Sequence, residues 1–191
     1  MAFRPILAVP ALMLLTGTAL AHGGPGTGNF PTGFAHPFSG ADHLLAMAAV
    51  GLYAAGQQGR ARWVLPGGFL LAMLAGAALG AGGVALPLVE AGIAASVLVL
   101  GLLIACLARL PLGVAMPMMV LFALFHGHAH GAEMGQGALA AYAAGFTLAT
   151  ALLHASGYLV ARWLPRSALG RRTQRTLGVL IATSGAVLLG G

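Results

Sequence analysis

Apolar positions in this chain come in long unbroken runs, neither alternating along strands nor confined to one face of a helix. Six such runs cover residues 40–57, 64–83, 86–108, 111–129, 137–160 and 174–190, separated by short segments rich in Gly, Pro and Arg. Each approaches the ~20 residues that a helix needs to cross ~30 Å of hydrocarbon, so the pattern predicts an all-α integral membrane bundle of six transmembrane helices. Continuous hydrophobicity argues against a β-barrel and against a soluble core. An earlier run from Ile6 to Leu20 follows Arg4 and ends in Ala19-Leu20-Ala21. It reads as a cleavable signal peptide over residues 1–21, with a retained first helix as the alternative. The remaining residues, 22–191, form one membrane domain, without a soluble module or a convincing sequence repeat between its three-helix halves. An inverted repeat finds no support in the sequence.

Composition sharpens this picture. Only 6% of residues are charged, 59% are hydrophobic, and the mean hydropathy is +0.94, whereas a soluble domain carries roughly 25% charge. Thirty glycines suit helices packed closely through small side chains, as in the spacing Ala72, Gly76, Gly80. The net charge of +6 comes with no lysine and no basic stripe, so it does not point to a nucleic-acid partner. It is explained by topology. With residue 22 outside, Arg60, Arg62, Arg109, Arg162, Arg166, Arg171, Arg172 and Arg175 all fall in inner loops, as the positive-inside rule requires. The expected setting is a bacterial inner membrane, the mature N-terminus outside and the lipid bilayer as the constant partner. A single cysteine, Cys106, excludes an internal disulfide and a thiolate cluster, so any metal chemistry rests on nitrogen and oxygen.

Sorted by depth, the rare ionisable residues gather at one face of the membrane. His36, Asp42 and His43 lead into the first span, Glu90 lies ~6 Å into the third, and His126, His130 and Glu133 close the fourth. If that segment is helical, His126, His130 and Glu133 share a face, while His128 points elsewhere unless the glycines at 127 and 131 unwind the turn. His43 and Met47 likewise share a face, with Asp42 beside them. A carboxylate next to an imidazole can ligate a metal itself or accept the proton of the other ring nitrogen. These donors suit a divalent first-row ion. Magnesium or calcium would call for more carboxylates than the three acids present.

Two stretches carry a resemblance. His36-Pro-x-x-Gly40-x-Asp42-His43-Leu-x-Ala-Met47-x-x-Val50-Gly51 and Phe125-His-Gly-x-Ala-His130-Gly-x-Glu133 resemble the motifs of the HupE/UreJ family of nickel and cobalt permeases. The resemblance extends over essentially the whole chain. It implies that His36, Asp42, His43, His126, His130 and Glu133 handle metal, that the transported substrate is Ni²⁺ or Co²⁺ with no prosthetic group, and that the chain serves hydrogenase or urease maturation. His128 occupies a variable place in the second motif.

Other features are weighed against plainer roles. Asp42 could cap its helix, Glu90 could complement the helix dipole, and His36, placed before Pro37 and so not easily helical, reads as a loop gate. His22 could chelate as a new N-terminus. Met116, Met118, Met119 and Met134 read as packing, and Trp63 and Trp163 as interfacial anchors. On the fifth span, Thr147, Thr150, His154 and Tyr158 form one polar stripe, with His154 about 25 Å below the outer end of that helix. Glu90, at the outer end of the third span, and His154, on the stripe, are further metal candidates, and the stripe favours a permease, not an enzyme, that captures nickel outside and passes it inward. Uptake is expected to weaken as pH falls through the histidine range. The alternatives are an intramembrane metal hydrolase, with Ser39 near the site, and a metal-binding accessory protein that does not transport.

Overall fold

The computed structural model describes residues 28–134 and 138–191, so the expected signal peptide and His22 lie outside the described residues. Seven helices follow one another: α1 Phe30–Ser39, α2 Ala41–Ala55, α3 Ala61–Ala81, α4 Val89–Ala105, α5 Leu112–Glu133, α6 Leu139–Trp163 and α7 Ala168–Gly190. No strand occurs among the described residues. Helices α2 to α7 stand where the six apolar runs lie. Of these, α3, α5 and α6 are long and apolar enough to cross a membrane, whereas α2 and α4 are apolar but shorter. Helix α2 explains its own composition. Most of its residues from His43 to Ala54 are buried, against α1, α3, α4, α6 and α7, so it is apolar nearly all round.

Glycine sets the closest pairings. A methyl group added at Gly76 or Gly80 of α3 would overlap the Leu124 or His128 carbonyl of α5. One added at Gly127 or Gly131 would overlap the Met73 or Ala77 carbonyl of α3. The Ala72-Gly76-Gly80 spacing therefore marks the α3–α5 interface, where backbones touch without intervening side chains. Gly51 and Gly157 bring α2 and α6 together in the same way, and Gly101, Gly178 and Gly185 do so for α4 and α7. Exchanging α2–α4 with α5–α7 maps the α2–α6 pair onto α5–α3 and the α4–α7 pair onto itself. The match is partial, because α2 packs on α4 while α5 and α7 form no comparable pair among the described residues.

Three sequence expectations change. Residue His36 is helical, in α1, although Pro37 follows it inside the helix. The pre-proline restriction is a preference, and three favourable features oppose it here. Asn29 and Thr32 form a reciprocal capping box at 3.0 and 3.1 Å, Pro31 sits in the first turn, and Gly33 and Gly145 let α1 lie directly on α6. The fourth predicted span runs on to Glu133 because Gly127 and Gly131 are used for packing and do not unwind the turn. Finally, Arg171, Arg172 and Arg175 lie within α7, which begins at Ala168 behind the Ser167 cap.

Candidate metal centre

The site is assembled from helix ends. Asp42 lies in the first turn of α2, whose N-cap is Gly40, so its carboxylate is not the cap. Asp42 Oδ1 accepts from the His43 backbone N–H at 2.7 Å and from His43 Nδ1 at 3.1 Å. A carboxylate only accepts, so the proton sits on Nδ1 and the lone pair on Nε2. Nε2 is buried and has no hydrogen-bond partner among the described residues.

Helix α5 supplies the facing donors. His126 and His130, one turn apart, are fully buried. Ser96 Oγ lies 2.8 Å from His126 Nε2 and donates to the Ile93 carbonyl at 2.7 Å. With its only proton given to Ile93, Ser96 accepts from His126 Nε2–H, which leaves the lone pair on Nδ1. That atom too has no partner among the described residues, and neither does either nitrogen of His130. The His130 ring stacks on Phe146 of α6 at 4.8 Å and 6°. Its edges meet His36 and His43, both at 4.7 Å. His43 in turn meets His126 at 4.8 Å.

Helix α1 covers this cluster. Its His36 lies 3.4 Å from Glu133 Oε2, and its Ser39 hydroxyl donates to the His36 carbonyl at 2.6 Å. Burial, helped by the neighbouring His43 and opposed by Asp42, lowers the pKa of His36 from 6.5 to about 4, so the ring is neutral throughout the physiological range. A cavity of about 290 Å³ opens between His36, Asp42, His43, Glu90 and Glu133. All three acids of the chain and two of its imidazoles thus border one space, with His126 and His130 in ring contact with His43 beneath it. Among the described residues, no three His, Cys, Asp or Glu side chains already stand in metal-holding geometry. The rings face one another edge-on. Nitrogen and carboxylate oxygen without thiolate suit a divalent first-row cation.

The chain matches the family model described as HupE / UreJ protein over residues 10–188. The curated relative Protein HupE of Rhizobium leguminosarum bv. viciae is 41% identical, over the full length of both chains. The chain belongs to the HupE/UreJ family. No solved structure matches it.

With its three span-length apolar helices, this HupE/UreJ member is a membrane protein. Its remaining candidates separate clearly. His128 Nε2 lies 2.7 Å from the Val84 carbonyl, so that ring ties α5 to the α3–α4 connection, away from the cluster. His154, deep in α6, is nonetheless close to the clustered residues. Helix α6 starts beyond them, since its Tyr142 and Phe146 already flank His36 and His130, and the His154 Nδ1 bonds the Met47 carbonyl at 2.8 Å, one turn past His43. The sequence reading missed Ser96, Phe69 and Phe146. Ser96 left a trace as a lone hydroxyl in the otherwise apolar α4. The two phenylalanines left none, because a ring beside a donor cannot be told in sequence from one in any core.

Proposed function

We propose that this protein takes up Ni²⁺, with Co²⁺ as the competing substrate, by capturing the ion at the His36, Asp42, His43, Glu90, His126, His130 and Glu133 cluster and passing it between helices to the arginine-bearing end. The observation that carries this reading is the burial of lone-pair imidazole nitrogens of His43, His126 and His130 under a cavity bordered by the three acids. Buried polar atoms without partners are costly, and ionisable groups at membrane depth are usually functional. Family membership supports a nickel- and cobalt-transport role, and hydrogenase or urease maturation is the pathway it would serve. The ion is substrate here, and no prosthetic group is called for.

Orientation follows from charge. The cluster faces outward and the arginines face the cytoplasm of a bacterial inner membrane, crossed six times by α2 to α7. Shorter α2 and α4 are compatible with spanning because they are enclosed by other helices and need not match the lipid themselves. The deciding experiment is uptake of labelled nickel, cobalt and zinc by purified protein in liposomes, with and without an inside-negative potential. Accumulation of nickel above protein-free vesicles is expected. Binding without accumulation would favour a non-transporting accessory role. Ser39 lends nothing to a hydrolase reading, since its hydroxyl is already donated to His36.

A further inference from the structure

One buried imidazole takes no part in the capture cluster. His154 Nδ1 lies 2.8 Å from the Met47 carbonyl. A carbonyl only accepts, so the ring proton is on Nδ1 and Nε2 bears the lone pair. His154 is 5% exposed, and its Nε2 has no hydrogen-bond partner among the described residues. A histidine needed only to tie α6 to α2 could be replaced by a side chain without this second, unsatisfied atom.

Its surroundings connect it to the cluster. The Phe69 ring meets the His154 ring edge-on at 5.3 Å and 83° and lies 6.0 Å from the ring of His126. A single fully buried phenyl thus separates the innermost capture imidazole from His154. Beside it, Thr150 Oγ1 contacts Met73 Sδ at 3.8 Å. Thr150 is one turn before His154 on α6, and Met73 one turn after Phe69 on α3. The layer beneath the cluster therefore holds an imidazole nitrogen, a hydroxyl oxygen and a thioether sulfur within one turn of each other along α6 and of Phe69 along α3. They fit a partly dehydrated divalent first-row cation of borderline softness. Without them an ion leaving the cluster toward the arginine end would first cross buried apolar side chains such as Phe69 and Met47, which is a steep barrier.

We propose that His154 Nε2 is a second, inner transit site for the divalent ion, separated from the capture cluster by the Phe69 ring. This rests on the uptake reading above and adds a step to it. The ion exchanges from His126 past the phenyl edge to His154, with Thr150 and Met73 as flanking donors.

The test uses the full-length protein and Ni²⁺ as the probe, with binding measured in detergent and influx in liposomes. His154→Asn keeps an N–H donor for the Met47 carbonyl but has no ring lone pair; His154→Ala removes both. In both variants Ni²⁺ affinity should stay within about three-fold of the wild type while influx falls by about ten-fold or more. Wild-type influx in His154→Asn would overturn the inner site and leave His154 as a tether. Loss of binding in both variants would also overturn it, making the residue a support of the cluster. A wild-type protein that binds but does not carry nickel would refute the uptake reading itself, and the inner site with it. If His154→Ala fails to reach the membrane, His154→Asn alone decides.

Discussion

Ser96 of α4 accepts a hydrogen bond from His126 Nε2 across the helix interface at 2.8 Å, and this contact determines which nitrogen of the imidazole is free to face the cluster. Ser96→Ala should therefore leave the fold intact but release the tautomer and ring orientation. Loss of such a supporting contact typically costs ~10–100-fold in metal affinity. The half-saturating nickel concentration for influx should rise by about that factor, with protein abundance in the membrane unchanged. An unaltered concentration dependence would remove Ser96 from the site.

The capture residues themselves should behave differently. His43→Ala, Asp42→Ala or His130→Ala should each reduce nickel influx to the background of empty vesicles. The partnerless ring atoms of His43 and His130 contribute more to the ion than to the bundle, and Asp42 bonds only its neighbour His43, so yield and thermal stability should change little. His128→Ala should retain influx, because that ring is engaged with Val84.

Proton competition at His36 should appear later than for an ordinary imidazole. Burial lowers its pKa to about 4, so between pH 6.5 and 4 the free or unfolded ring takes up a proton while the folded one stays neutral. His36 thus contributes no proton block to uptake until the pH approaches 4, and its share of stability is present above 6.5 and is lost as pH falls through 4. The weakening of uptake expected of ordinary histidines therefore gains nothing from His36: in initial influx measured from pH 7 to 4.5, any component with a midpoint near 6.5 should not come from this ring. A midpoint near 6.5 that disappears in His36→Gln would contradict this.

Helix packing gives a stability prediction. Gly127→Ala would press a methyl group into the Met73 carbonyl of α3, and overpacking of this kind costs ~1–3 kcal/mol. Gly67→Ala is the control, since nothing lies within 4 Å of a methyl there. Thermal unfolding in detergent should fall clearly for the first and stay level for the second.

Sidedness can be read by labelling single cysteines in a Cys106→Ser background. Gly131 is unsuitable as a reporter because any side chain there would strike Ala77. Val84, half-exposed at the histidine end, should react with an impermeant reagent from outside, and Ser167, at the other end, only after permeabilisation. The reverse pattern would place the capture cavity in the cytoplasm.

Much of the candidate site was legible because membrane residence makes ionisable residues rare. Asp42, His43, His126, His130 and Glu133 stood out against apolar runs, and helical spacing alone put His128 off their face. The fold was legible to the same extent, since six helices lie where the apolar runs do. What escaped depended on tertiary packing. Helix α1 was hidden behind the local rule at Pro37, which its docking on α6 overrides. The nearness of His154 to the cluster was not legible because helix length measures distance along one helix and says nothing of where a neighbour begins. Tautomers, fixed by Ser96 and by the Met47 carbonyl, require contacts between residues 30 and 107 positions apart.

The glycine seams carry a mechanical consequence. Helices whose backbones touch cannot slide past one another without collision, so α3 with α5, and α1 and α2 with α6, each behave as a rigid block. Apart from Glu90, which belongs to the α4–α7 pair, the candidate ligands are divided between these blocks: His36, Asp42 and His43 ride on one, His126, His130 and Glu133 on the other. Any motion that preserves both seams must part or close the two half-sets together, so that the grip on the ion and the opening of the bundle are a single coordinate.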